Sequence, residues 1–327
     1  VQQIFHPTIF FNIRTKSNLE DAARFAERAY GRQLVYDIKA AYYNYLKSSE
    51  GVEIVKNNIR VVDENLRVNE SLFRNDKITK DILLQAKSRR LEMKALGTEN
   101  RKQKRLAQYW FNHLLNRHLT EEIQRITRND NVVTLDTASS NSQTLHHREE
   151  LKQLQSSIEA SKEGIKAASS KFLPSLLIAG EFGYQGEQYR FNDEQDYWMV
   201  SGVLQWTLFN GFKDKEAREQ AIIQKKQLET QLELTKQKIL IDIQQSLDEY
   251  QVAFENYETA KIRLETAKEA FRLSQKKYQN GLANYIEYLN SENTLFNSQR
   301  EESLAYYDLK IAIANIERAK ATYPLNK

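Results

Sequence analysis

The chain has 327 residues, with 48 Lys and Arg against 44 Asp and Glu, a formal net charge of +4, and no cysteine. The missing cysteine excludes disulfides and thiol chemistry, and allows an oxidising compartment without implying one. Nearly balanced charge gives no whole-chain argument for a nucleic-acid partner. With a mean hydropathy of −0.69, no run of about 18 apolar residues makes a transmembrane helix.

A membrane is not excluded, because a β-barrel strand needs only about ten alternating residues. Ten Gly and three Pro fit a mostly helical protein. No signal peptide is visible, and residues 1–11 read as a strand stub and turn. A first long helix is predicted from about Thr15 to Phe73. It carries apolar residues seven apart at Ile38, Tyr45, Val52, Ile59, Leu66 and Phe73, a ladder that marks a supercoiled helix with its seam facing inward. The break Arg74-Asn75-Asp76-Lys77 follows, since Asn and Asp tolerate a reversal. A return arm is predicted from about Thr79 to Arg117. Its basic cluster Arg101, Lys102, Lys104, Arg105 could attract nucleic acid or lipid head groups, but it reads first as a solvated helix face, because acidic residues are interleaved along most of the chain.

The stretch 127–147 is polar and aperiodic, so it reads as a linker or loosely packed belt. It contains His146-His147, a solvated pair with no carboxylate or third ligand at metal spacing. Arg148 to Lys171 is predicted helical, with Leu151, Leu154, Ile158 and Ile165 on one side, and Pro174 ends it. From Ser175 to Phe209 the period becomes two. Leu176, Ile178, Gly180, Phe182 and Tyr184 alternate with Ser175, Glu181 and Gln185. After a polar loop, Trp198, Val200, Gly202, Leu204, Trp206 and Leu208 alternate with Met199, Ser201, Val203, Gln205 and Thr207. Two strands of about ten residues, apolar on one face, fit a membrane barrel hairpin with a wet lumen. An amphipathic hairpin over a soluble core fits the same pattern.

A second long helix, from about Phe212 to Gln279, would span on the order of 100 Å. Its ladder is Ile243, Tyr250, Tyr257, Leu264, Phe271 and Tyr278. Each rung lies 205 positions after its counterpart (243 − 38 = 205; 278 − 73 = 205). Asp37-Ile38 recurs as Asp242-Ile243, Leu66-Arg67 as Phe271-Arg272, Leu84 as Leu289 and Leu91 as Phe296. The second break is Gln279-Asn280-Gly281-Leu282. The chain therefore contains one helical-hairpin unit twice: 1–126 is a first, incomplete unit, 127–147 the linker, and 148–327 a second unit. The fold class is mainly α, with long antiparallel coiled-coil hairpins and a small β-hairpin portion. Equal offsets put the turns near Asn75 and Asn280 at the same end.

Catalytic motifs are absent: no Gly-rich phosphate loop, nucleophile elbow or HExxH helix occurs, and neither metal nor cofactor is called for. The helix breaks are the more informative places. Glu287 follows the second one, and repeated by symmetry around a tube it would form an acidic ring favouring cations. As a plain helix-start acid it would be stabilised by the helix dipole.

Several stretches together resemble the TolC-type outer-membrane factors. They are Gln-Ile-Phe-His-Pro at residues 3–7, Ala41-Tyr42-Tyr43-Asn44, Phe172-Leu173-Pro174-Ser175, Trp206-Thr207-Leu208-Phe209-Asn210-Gly211-Phe212, and Tyr278-Gln279-Asn280-Gly281. The resemblance runs over nearly the whole chain, in order, with the family's twofold repeat. It implies a passive homotrimeric export duct across the periplasm and the outer membrane of a Gram-negative bacterium. The helical barrel would meet a periplasmic adaptor and an inner-membrane pump of RND or ABC type, in efflux or type I secretion.

By the same resemblance Glu287, Asn290, Asn284 and Asp76 would form the channel-tip constriction. Asn75, Asp76, Lys77, Ile78, Asn280, Gly281 and Leu282 would be the adaptor-docking tips. Ile178, Phe182, Val200, Leu204, Trp206 and Leu208 would face outer-membrane lipid. Asn290 stands where the family often has a second acid, and Ala283 where it often has a basic lock. Only residues 1–5 match the second strand of the family's first hairpin, which fits a fragment of a longer secreted protein. The competing reading is a soluble coiled-coil scaffold capped by the β-hairpin.

Overall fold

The computed structural model describes residues 2–5, 7–126, 128, 145, 147–185 and 196–325. The elements are β1 (Gln2–Phe5), α1 (Pro7–Arg74), α2 (Lys80–Leu114), α3 (Glu149–Ser169), a 3-10 turn (Ser170–Phe172), β2 (Ser175–Tyr184), β3 (Asp196–Gln205), α4 (Lys213–Gln279) and α5 (Tyr285–Ala319). The repeat is written into these bounds. The end of α1 and the end of α4 are 205 apart (279 − 74), as are both ends of α2 and α5 (285 − 80; 319 − 114). Helix α1 begins at Pro7 rather than near Thr15, because proline suits the first helical turn, where its missing N–H would have no intrahelical partner. Most of the predicted linker lies outside the described residues, and so does His146.

The chain divides into two compact units that cut across the repeats: Val1–Tyr30 with Ser140–Leu240, and Gly31–Ser139 with Ile241–Lys327. In the first unit the three strands form an antiparallel sheet in the order β1-β2-β3. Leu151, Ile158, Ala160 and Ala167 are buried along α3, the apolar side expected from the sequence. The Thr8 and Ser170 hydroxyls meet at 2.8 Å, tying the start of α1 to the turn before β2.

In the second unit all twelve ladder residues are buried or half-buried. A second ladder, three residues after the first, completes the coiled-coil pattern: Val55, Val62 and Asn69 are among the most buried residues of α1. One core joins Tyr45 and Leu46 of α1, Phe111 of α2, Tyr250 and Tyr257 of α4, and Tyr306, Leu309 and Ile316 of α5. Two ion pairs link α1 to α5, Lys39–Glu317 at 2.5 Å and Lys47–Asp308 at 2.7 Å.

The chain after α2 lies on this core as a strap. Ile123 is buried in the core. The Asn112 amide donates to the carbonyls of Leu119 and Glu121, each at 2.9 Å. The Tyr42 hydroxyl donates to the Gln124 carbonyl at 2.9 Å and accepts from the Ile126 N–H at 3.1 Å. Arg128 bridges Glu50 and Glu302 and sits 4.1 Å over the Tyr306 ring.

Four helix ends close alike. At Asp76, Asn116, Gly281 and Ala321 the backbone enters the left-handed region, with φ of 52°, 52°, 71° and 52°. The next residue's N–H then reaches back five positions, as in Lys77 to Leu72 (2.9 Å) and Leu282 to Lys277 (2.8 Å). This is the Schellman closure, which satisfies carbonyls left over at a helix end. These positions also pair at the repeat spacing (281 − 76 = 205; 321 − 116 = 205). A Cβ at Gly281 would meet nothing within 4 Å, so backbone conformation alone sets its cost. Gly281→Ala should lower stability by about 1–2 kcal/mol. Ala321→Gly should raise it by up to about 1 kcal/mol, the relief of a left-handed alanine less the entropy of glycine. Urea midpoints followed by the helical circular-dichroism signal should move in these opposite directions.

Candidate functional site

The tips of the two hairpins belong to the second unit and share one cluster. Tyr285, Tyr288 and Ala86 are buried there, with Leu66, Ile82, Phe271, Tyr278 and Leu289 packed around them. The turns at Asn75 and Asn280 therefore do lie at the same end. The Tyr278 and Tyr288 rings stack with centroids 5.2 Å apart, and the Tyr278 hydroxyl donates to the buried Asn69 side chain at 2.9 Å. Asn69 in turn donates to Asn65 at 2.6 Å. Burial pushes the Tyr288 phenol up to about 12 and raises Tyr285 as well. Both rings stay neutral hydrogen-bonding groups at physiological pH.

Behind this cluster, Arg89 of α2 reaches into α5. Its guanidinium donates to Asn293 and stands 3.5 Å from the buried Glu292 carboxylate. Burial raises the Glu292 pKa, against the lowering influence of Arg89 and a hydrogen bond from Asn58. Asn69 and the Arg89–Glu292 pair escape a reading by apolar periodicity, and of the stack only Tyr278, the last rung of the second ladder, follows from it. Asn69 sits at the second-ladder position where Val55 and Val62 precede it, and its spacing was the only available signal.

The residues singled out from the sequence are solvent-facing. Asn75, Asp76, Lys77, Asn280, Gly281 and Leu282 are exposed, and Ile78 is half-buried. Asn284, Glu287 and Asn290 are exposed as well. Asn284 is the N-cap of α5: its side-chain oxygen accepts the Glu287 N–H at 2.9 Å, and its amide donates to the Glu287 carboxylate at 3.2 Å. This exchange satisfies two groups at the helix start in the manner of a capping box. The Glu287 carboxylate takes that bond from a neutral amide, so the bond does not cancel its charge.

In the first unit, the β2–β3 register sorts the hairpin's faces. Leu176 opposes Leu204, Ile178 opposes Gly202, Gly180 opposes Val200 and Phe182 opposes Trp198. Successive residues alternate faces, so Ile178, Phe182, Val200 and Leu204 share one face. It is strongly exposed: Phe182 65%, Trp198 76%, Val200 64% and Leu204 70%. The other face carries Ser175, Glu181, Ser201 and Gln205 together with Met199 and Val203. There the Tyr197 hydroxyl donates to Glu181 at 3.0 Å.

Trp206 and Leu208 were expected within the strand but lie beyond its end at Gln205. The partner strand starts at Ser175, opposite Gln205, and Pro174 before it has no N–H with which to extend the ladder. Trp206 instead donates its indole N–H to the Phe172 carbonyl at 3.1 Å. No helix among the described residues is long and apolar enough to cross a membrane.

Solved structures share this fold. The outer membrane protein VceC from Vibrio cholerae superposes with a TM-score of 0.81 at 19% identity, over 94% of this chain and 74% of that one. CusC gives 0.87 at 18%, over 97% and 74%. The MtrE outer membrane channel of Neisseria gonorrhoeae gives 0.85 at 16%, over 95% and 71%. No curated protein matches the sequence. The outer membrane efflux protein profile matches residues 141–321, more than half of the 327. The chain belongs to the outer membrane efflux protein family and is a component of an outer-membrane efflux channel.

Proposed function

We propose that the protein is the passive outer-membrane duct of a tripartite export system. It works as a homotrimer whose sheets join in a membrane barrel and whose helices line a periplasmic conduit. A periplasmic adaptor engages the tips around Asn75–Ile78 and Asn280–Leu282, and an inner-membrane pump of RND or ABC type supplies the energy for efflux or type I secretion. One observation carries this reading above the others: a strand face bearing Phe182, Trp198, Val200 and Leu204 stands open to its surroundings, while Glu181, Ser201 and Gln205 occupy the opposite face. A soluble scaffold would have to cover such a face, whereas lipid rewards it.

The tips carry the second half of the proposal. Three copies of Glu287 converging on one axis would repel one another, making the ring a site for cations. Asp76, Asn284 and Asn290 are the exposed polar side chains grouped with it as the constriction.

Two measurements test these halves separately. Leu204→Lys should cost about 2–4 kcal/mol of folding free energy in lipid if the position lies near the bilayer midplane, and Ser201→Lys much less. Equal tolerance at both positions would favour the scaffold. Glu287→Gln keeps a capping side chain at the third helical position, so α5 should stay folded. The variant should lose cation selectivity and resist block by multivalent cations in single-channel recordings. Unchanged selectivity and block would reduce Glu287 to its capping role.

A further inference from the structure

The face of β2 and β3 that holds Ser201 and Gln205 bears a single charged side chain, Glu181, and the backbone is shaped to hold it. Tyr197 is not directly across from this acid. It opposes Gly183, while Glu181 opposes Met199. The Tyr197 hydroxyl still reaches the Glu181 carboxylate, at 3.0 Å, because its ring lies across Gly183. A Cβ built on Gly183 would stand 3.0 Å from the ring's Cε1 and 3.2 Å from its hydroxyl oxygen, tighter than side-chain carbons ordinarily pack. Glycine therefore gives the tyrosine its seat, and the tyrosine holds the acid. The donor is a hydroxyl rather than a cation, so the bond fixes the carboxylate without cancelling its charge. Glu181 stays exposed. Around it the face is weakly polar, with Met199 opposite and Leu177 paired with Val203 farther along. Charge of one sign on a low-dielectric wall focuses its field into the space in front of it.

Resting on the duct reading above, we infer that Glu181 is a further specificity-determining residue of the channel: held in place by Tyr197 on Gly183, it makes the strand section prefer cations. Tyr197 is its positioning residue. In a closed barrel the equivalent carboxylates of all copies stand at one level. That level lies six residues along β2 from Ser175 (181 − 175), on the order of 20 Å at the rise of a strand. Glu287 belongs to the other compact unit, so the two acids can be removed independently.

The test uses the whole gene product in planar bilayers under a potassium chloride gradient, in a Glu287→Gln background that silences the tip acid. Glu181→Gln keeps an oxygen that accepts from Tyr197 and removes only the charge. Its reversal potential should move toward zero, and block by hexaamminecobalt(III) added from the strand side should be lost. Tyr197→Phe leaves the charge in place. There the reversal potential should hold while the block weakens, a split that a merely stabilising cross-strand pair would not give. Residues 1–327 hold no cysteine, so Glu181→Cys gives a second route, with the unsubstituted protein treated alike as control. A thiosulfonate reagent carrying a sulfonate should restore the cation preference, and a neutral one should not. A pore whose reversal potential ignores both Glu181→Gln and the charge of the reagent overturns this inference and leaves the duct reading standing. Folded protein that forms no pore overturns both.

Discussion

Supercoiled burial along the heptad seams holds the second unit together. A straight helix drifts relative to a seven-residue pattern, so two ladders, Ile38 to Phe73 and Ile243 to Tyr278, can stay buried only if the helices wind around one another. Tyr45, Val55 and Val62 on α1, Ile243, Tyr250 and Tyr257 on α4, and Leu309 and Ile316 on α5 are all nearly inaccessible. The remaining features of the unit are attached to that seam. Four Schellman closures end its helices, the strap of residues 117–126 lies over its core, and the ion pairs of Lys39 and Lys47 flank it.

Polar groups inside the seam set register where apolar contacts are indifferent to sliding. Asn69 is fully buried and tied to Asn65 and Tyr278, a geometry that a shift of one turn would break. Arg89, Glu292 and Asn58 form a second buried polar knot linking α2, α5 and α1. Breaking one member of such a knot leaves the others buried without partners, which costs more than the intact knot contributes. Both knots lie toward the hairpin tips, where the apolar ladder gives way to exposed polar turns.

The first unit obeys a different constraint. A ten-residue strand pair with one apolar and one mixed polar face has no core of its own large enough to cover Phe182, Trp198 and Leu204. Its backbone groups are satisfied by β1–β2–β3 pairing, while the outer edges call for further strands. In hydrocarbon that requirement becomes absolute, because unpaired edges are not tolerated there.

Periodicity made the repeat, the helical hairpins, the two turns and the ten-residue strands legible, because each depends on local spacing and backbone preference. The constant spacing of 205 between Ile38 and Ile243 fixes the correspondence of the two repeats. The family likeness lay in short junctions such as Trp206–Phe212, which are local as well. What the sequence alone could not decide depends on partners distant along the chain. Pro174 sets where β3 stops only through the pairing of Ser175 with Gln205, so Trp206 and Leu208 fell outside the strand. Asn69, Glu292 and Arg89 carry polar side chains that a hydropathy pattern assigns to solvent, and only the approach of α1, α2, α4 and α5 buries them. Glu287 is an acid near a helix start in either description. The N-cap exchange with Asn284 became visible only in three dimensions, because a hydrogen bond is decided by distance and angle rather than by spacing.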